Sequence, residues 1–330
     1  MTTIARDNRE HEWREYYRQF DYFSADQIRP ECHPRALLHA VPSEQAIVLV
    51  HGLSDSPYFL KAIAKHFHKA LGFDCYLPLL HFHGLLTPRG MEGVKLDEWK
   101  ANVQFAIKTA SQARERYNRE NIGGATRLDN DDVKVSIGGL STGGALSFYM
   151  ANHSPRIDGD LYLFSAALDL AGGPFGIGGE LKEWLGRTFL TDLFDKNKSL
   201  IGANPYRYER VDLDGARELA HLIRETDELI DDFDPLRGRA FPYRVFAAHS
   251  HFDSTADIEG IKTLQKCCNT ADFHAHLLPE SAGVSHASLV LEQPIYALDD
   301  AERKEPLEPA NPHFAEMLQA ISKFANQQET

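Results

Sequence analysis

The sequence predicts an α/β fold: a mostly parallel sheet with helices on both faces. Two patterns carry this. Short continuous apolar runs, such as Ala46-Ile47-Val48-Leu49-Val50 and Leu161-Tyr162-Leu163-Phe164, recur along the chain. Amphipathic stretches lie between them. Short apolar runs bounded by turn residues read as strands buried on both faces, and strands alternating with helices build parallel sheets.

The elements follow in order. Residues 1–25 are rich in Glu, Arg and Tyr and read as a charged helix. Strand 46–50 leads into the loop His51-Gly52-Leu53-Ser54-Asp55-Ser56-Pro57, and a helix over 58–71 stops at Gly72. Residues 75–79 read as a strand whose Pro78 places it at an edge or a strand end. A helix is expected over 98–117, with Trp99, Val103, Ala106, Ile107 and Ala110 on one face. Strand 133–137, a glycine-rich turn over 138–144 and a helix over 145–152 come next. Further strands are expected at 161–164, 243–248 and 273–278. The closing helix carries Phe314, Met317, Leu318, Ile321 and Phe324 on one face.

The alternation breaks once. Between 170 and 240 no strand is evident; amphipathic helices are expected around 184–194 and 216–230. The reading is a helical cap inserted over the C-terminal edge of the sheet, where ligands bind in open α/β sheets; two ordinary crossover helices are the alternative. The expected organisation is therefore an N-terminal helical extension (1–35), a core (36–170 and 241–330) and a cap insertion (171–240).

Composition narrows the function. A formal charge of −13 argues against nucleic acid or an anionic membrane as main partner. No apolar run approaches the roughly 20 residues that span a bilayer, and the polar N-terminus lacks a signal-peptide core. Cys32, Cys75, Cys267 and Cys268 show no CxxC spacing and suit a reducing compartment, so a cytoplasmic location is expected.

Gly139-Leu140-Ser141-Thr142-Gly143 fits G-x-S-x-G. Glycine near 7% of residues makes a chance match expected in about one chain in ten of this length, so the flanks decide. A strand runs in and a helix runs out, as a serine nucleophile raised on a sharp strand-to-helix turn requires. Nucleophiles on this turn find their partners in chain order, acid then histidine, each after a strand. His286 lies after the last expected strand and is the expected general base. Asp253 follows strand 243–248 and is the expected acid; Asp257 is the alternative, with a helix N-terminus as its other explanation. Two backbone N–H groups must face the developing oxyanion. Thr142, after the nucleophile, and Leu53, after the first apolar strand, are the expected donors.

These residues resemble the α/β-hydrolase superfamily, in particular its carboxylesterase and monoacylglycerol-lipase-like branch. The matching pieces are Val48 to Pro57, His81-Phe82-His83-Gly84, Gly139 to Gly144, and the loops around Asp253 and His286. The family's common Gly-His-Gly is altered, because Phe82 stands where its first glycine would be. The resemblance implies that Ser141 attacks an ester carbonyl, His286 takes its proton, Asp253 holds the imidazole, and water releases the acid. The implied partner is a small-molecule ester, and no cofactor is implied. Large apolar residues in the insertion, among them Phe175, Trp184, Phe189 and Phe194, favour an apolar acyl chain of moderate length.

Rival readings remain open at this level. Thioesterase, lysophospholipase and peptidase chemistry use the same three residues. Three H-x-H pairs (His81/His83, His249/His251, His274/His276) could chelate zinc from one strand face, but no carboxylate-rich metal motif accompanies them. A catalytically inactive ligand receptor is the alternative from another class.

Overall fold

The structure is a computed structural model that describes residues 14–21, 24–86, 90–120, 128, 132–169, 199, 201–299, 302 and 305–329. A short helix, Arg14–Gln19 (α1), precedes strand Arg35–Leu37 (β1). Strand Gln45–Val50 (β2), helix Lys61–Ala70 (α2) and strand Asp74–Leu77 (β3) follow. Helices Leu96–Ser111 (α3) and Ala113–Glu120 (α4) lead to strand Lys134–Leu140 (β4) and helix Thr142–His153 (α5). Strand Leu161–Phe164 (β5), helix Leu213–Asp231 (α6), strand Val245–Ser250 (β6) and helix Ile258–Cys267 (α7) come next. Strand Phe273–Leu278 (β7) and helix Phe314–Ala325 (α8) complete the set.

The strands form one seven-stranded sheet in the order β1-β3-β2-β4-β5-β6-β7. Every pairing is parallel except β1 with β3. The six longer strands match the expected ones. β1 is the strand that the sequence pattern did not signal: three residues beginning with Arg35 bury too little to read as a strand.

The continuous apolar runs have a direct cause. Successive side chains of a strand point to opposite faces, and both faces are covered. Val48 and Val50 enter one core, with α3, α5, α6 and α7; Ile47 and Leu49 enter the other, with α2 and α8. Trp99 of α3 is fully buried in the first core.

The expected cap segment divides. Its first helix, around 184–194, and the apolar side chains read from it lie outside the described residues. Its second is α6, which packs on α5 and α3. Ala216, Leu219, Leu222, Ile223 and Ile230 are buried in the same core as the strands. The apolar stripe of α6 is thus spent on the sheet's helical layer, and α6 is the crossover between β5 and β6. At the N-terminus, Tyr16 of α1 is buried against Phe20 and Phe105, and its hydroxyl donates to the Leu79 carbonyl. None of the helices among the described residues is long and apolar enough to cross a membrane.

Candidate active site

The chain leaves β2 toward β3 on one side and reaches β4 on the other, so the loops after β2 and β4 diverge at a topological switch point. Ligands bind in open α/β sheets at that crevice, beyond the carboxyl ends of the strands. The loop 51–57 and Ser141 both stand there; Val50 is paired with Gly139 in the register.

Ser141 is the single residue between β4 and α5. Its φ of 56° and ψ of −121° lie where a side chain costs on the order of 1–3 kcal/mol. Neighbours hold it there: Ser141 N–H donates to the Phe164 carbonyl at 3.0 Å, and its own carbonyl accepts from Ala167 N–H at 3.0 Å. The two motif glycines are steric necessities. A Cβ on Gly143 would stand 2.0 Å from the Val50 carbonyl oxygen, and one on Gly139 would stand 2.4 Å from the Gly143 carbonyl oxygen.

The loop after β2 reaches this turn. A Cβ on Gly52 would lie 3.3 Å from Ser141 Cβ. Leu53 is buried beside it, and its carbonyl lies 2.6 Å from His83 Nε2. Burial lowers His83 to about 4, and its two ring nitrogens face the Leu53 carbonyl at 2.6 Å and the His81 carbonyl at 2.9 Å. Thr142 is fully buried at the start of α5, where backbone N–H groups have no partner within the helix.

Asp253 and His286 come together. His286 Nδ1 donates to Asp253 Oδ2 at 2.7 Å. Asp253 Oδ1 accepts from the N–H groups of Thr255 and Ala256 at 2.8 and 3.1 Å. The Asp253 side chain is fully buried, and His249 Nε2 lies 3.7 Å from Oδ2. Asp257 is elsewhere: it caps α7, accepting from Glu259 N–H at 3.0 Å. Ser141, the 51–57 loop, Asp253 and His286 thus follow β4, β2, β6 and β7, all at one edge of the parallel sheet.

No family model matches the chain. In sequence it is similar to a thermostable monoacylglycerol lipase of Bacillus sp. (strain H-257), 29% identical over 188 residues, 56% of this chain. That match spans 64% of the relative's length. Many solved structures resemble the chain, among them the following three, which do so over most of its length. One, reported with the metagenome-derived lipolytic enzymes LipS and LipT, gives a TM-score of 0.58 at 17% identity, covering 92% of this chain and 100% of the other. A monoacylglycerol lipase of Paleococcus ferrophilus gives 0.54 at 16%, covering 89% and 98%. A soluble variant of monoglyceride lipase from Saccharomyces cerevisiae, in complex with a substrate analog, gives 0.54 at 14%, covering 90% and 92%. The chain has the α/β-hydrolase fold.

The electrostatics of the His286–Asp253 pair suit proton transfer. For Asp253, burial pulls upward, but the His286 charge and hydrogen bond, His249 and the Thr255 N–H outweigh it and hold the carboxyl at about 2. For His286, burial pulls downward, but the Asp253 charge and hydrogen bond prevail, so its pKa stands above the ordinary histidine value. A carboxylate that stays ionised beside a histidine of raised basicity is what a general base needs.

Among the described residues, none of the H-x-H pairs belongs to a group of three or more side chains placed to hold one ion. His81 Nδ1 faces Glu98 at 2.6 Å, whereas His83 serves Leu53. His249 Nε2 points to the Ala256 carbonyl at 3.2 Å. The group among the described residues that could hold a metal is His39, His68 and Asp74. It lies by the start of β3, away from Ser141, and its carboxylate already accepts from His39 N–H, Ser43 N–H and His39 Nδ1 at 2.8–2.9 Å.

Sequence reasoning missed the charged residues around the 51–57 loop. Asp55 is buried, Arg207 pairs with it, and Glu308 pairs with Arg207. Asp55 sits within the quoted motif, but nothing near it in sequence marks it as paired.

Proposed function

We propose that this α/β-hydrolase is a serine esterase that cleaves a small carboxylic ester with an apolar acyl group of moderate length. The observation that carries the reading is the His286–Asp253 pair, 2.7 Å apart, on loops that leave the sheet at the same edge as the strained Ser141 turn. The monoacylglycerol lipase similarity supports an ester, and a glycerol monoester is the first substrate to try. Four free, buried cysteines favour a reducing compartment, here the cytoplasm.

In the proposed reaction Ser141 Oγ attacks the carbonyl carbon and its proton passes to His286 Nε2. The N–H groups of Leu53 and Thr142 receive the oxyanion. Collapse breaks the C–O bond, and His286 returns the proton to the departing alkoxide. Water then attacks the acyl-enzyme, giving its proton to His286, and the acid leaves as Ser141 Oγ is reprotonated. Asp253 holds the Nδ1–H tautomer and stabilises the imidazolium throughout.

Labelling with a fluorophosphonate probe, followed by peptide mapping, tests the reading. The expected outcome is label on Ser141, turnover of p-nitrophenyl and glycerol esters unaffected by chelator, and loss of both in Ser141→Ala. Label elsewhere, or turnover retained in Ser141→Ala, would overturn it. A thioester preference over matched esters would replace the substrate class.

A further inference from the structure

The stretch 204–208 lies along the loop that carries Gly52 and Leu53 and is tied to it repeatedly. Tyr208 N–H donates to the Ser54 carbonyl at 2.7 Å, and Ser56 Oγ donates to the Tyr206 carbonyl at 2.7 Å. The Tyr206 ring stacks on Tyr58 with centroids 3.5 Å apart. From the other side, Arg29 Nη1 donates to the Arg207 carbonyl at 3.1 Å, and the Tyr208 hydroxyl donates to the Phe82 carbonyl at 2.8 Å.

Arg207 is the charged centre of this strap. Its Nη1 meets Glu308 Oε1 at 2.5 Å, its Nη2 donates to Ser54 Oγ at 2.9 Å, and its Nε lies 3.6 Å from Asp55 Oδ1. Glu308 belongs to a stretch folded back on the chain after His286: it forms a backbone bridge with Ile295, and Asn311 nearby donates to the Leu289 carbonyl at 2.8 Å. One guanidinium therefore joins the loop holding Leu53 to the chain that continues from His286.

Asp55 explains why a cation is needed. Its Oδ2 lies 2.4 Å from the point where a Gly52 Cβ would be, and Ser141 Cβ lies 3.3 Å from that same point. The Asp55 side chain is only 5% exposed. Both Asp55 and Arg207 act electrostatically on His286. A buried carboxylate without its partner is costly, and here it would oppose the negative charge that develops on the oxyanion.

We propose that Arg207 is a positioning residue: it locks the 52–56 loop, and so the Leu53 N–H, in the geometry the transition state requires, while compensating the Asp55 carboxylate. This rests on the esterase reading above. Arg207 touches no reacting atom, so its contribution appears in kcat. Fixed donors act on the charge of the transition state and contribute little to ground-state binding.

The test uses the full chain with a short p-nitrophenyl ester, thermal unfolding, and the rate of fluorophosphonate labelling at Ser141. Arg207→Met is expected to lower kcat by about 10- to 100-fold with KM within about threefold, since one oxyanion donor accounts for on the order of 10²–10³ in kcat. Arg207→Lys is expected to fall between, because an ammonium cannot reproduce the fork that serves three partners. Adding Asp55→Asn to Arg207→Met is expected to restore kcat several-fold, because the uncompensated charge is gone. Unchanged kcat in Arg207→Met overturns the proposal. So does a loss that follows the unfolding midpoint alone and is the same in the double variant. Should Arg207→Met fail to fold, Arg207→Lys is read the same way: lower kcat at unchanged KM supports the proposal, and parental kcat overturns it. If the parent is not labelled at Ser141, the esterase reading itself has failed; labelling and turnover with no Arg207 effect fail this proposal alone.

Discussion

Asp253→Asn probes the proposed chemistry with little disturbance of the fold. Oδ1 of Asp253 accepts two backbone N–H groups, from Thr255 and Ala256, while Oδ2 alone faces His286 Nδ1. An asparagine keeps its oxygen on the backbone donors and turns its NH₂ toward His286. The imidazole must then accept at Nδ1 and carry its proton on Nε2, the nitrogen that has to receive the Ser141 proton. Such a tautomer reversal costs on the order of 10⁴ in kcat when the geometry is otherwise preserved. The expected result is a kcat loss of about 10³–10⁴ at neutral pH, read with a p-nitrophenyl ester, with an unfolding midpoint close to the parent. The lost negative charge also stops favouring the imidazolium, so the acid limb of any residual activity moves to lower pH. A variant that retains activity within about tenfold of the parent would refute the assigned role, because no wrong-tautomer enzyme could do so.

Asp257→Ala gives the contrast: loss of the α7 N-cap is expected to cost about 1 kcal/mol in chemical denaturation, with kcat essentially parental. For the parent, kcat/KM is expected to fall about tenfold per pH unit below the His286 pKa. That limb is expected above the ordinary histidine range, because the net effect of Asp253 raises His286, and a limb at lower pH would count against the pair. Gly143→Ala is expected to destabilise the fold by about 3 kcal/mol or more, since the new Cβ would collide with the Val50 carbonyl oxygen at 2.0 Å; thermal unfolding reads it.

What was legible in the sequence is what local sterics and burial dictate. Strands covered on both faces favour continuous apolar runs, so β2 and β5 announce themselves, whereas the three-residue β1 at the sheet edge does not. The Ser141 turn is legible because its two flanking glycines are required by contacts within the turn and with β2. The helix start at Asp257 is legible, and the structure gives Asp257 the α7 cap while Asp253 pairs with His286. The placement of α6 is not legible. Its apolar stripe shows that one face is buried but not whether it meets a cap or the sheet's helical layer; α3 and α5 take it. The Arg207 network is the least legible. Its partners stand 153 positions away at Ser54 and 101 at Glu308, and each segment alone reads as a polar loop. Only the sheet order, which brings the ends of β2 and β7 to one rim, turns three ordinary charges into a desolvated set. Within that set, removing the one cation exposes the proposed reaction centre to a buried carboxylate. The residues that position an active site are therefore harder to read than those that react. A nucleophile must satisfy its own turn, whereas a guanidinium answers only to partners that folding brings to it.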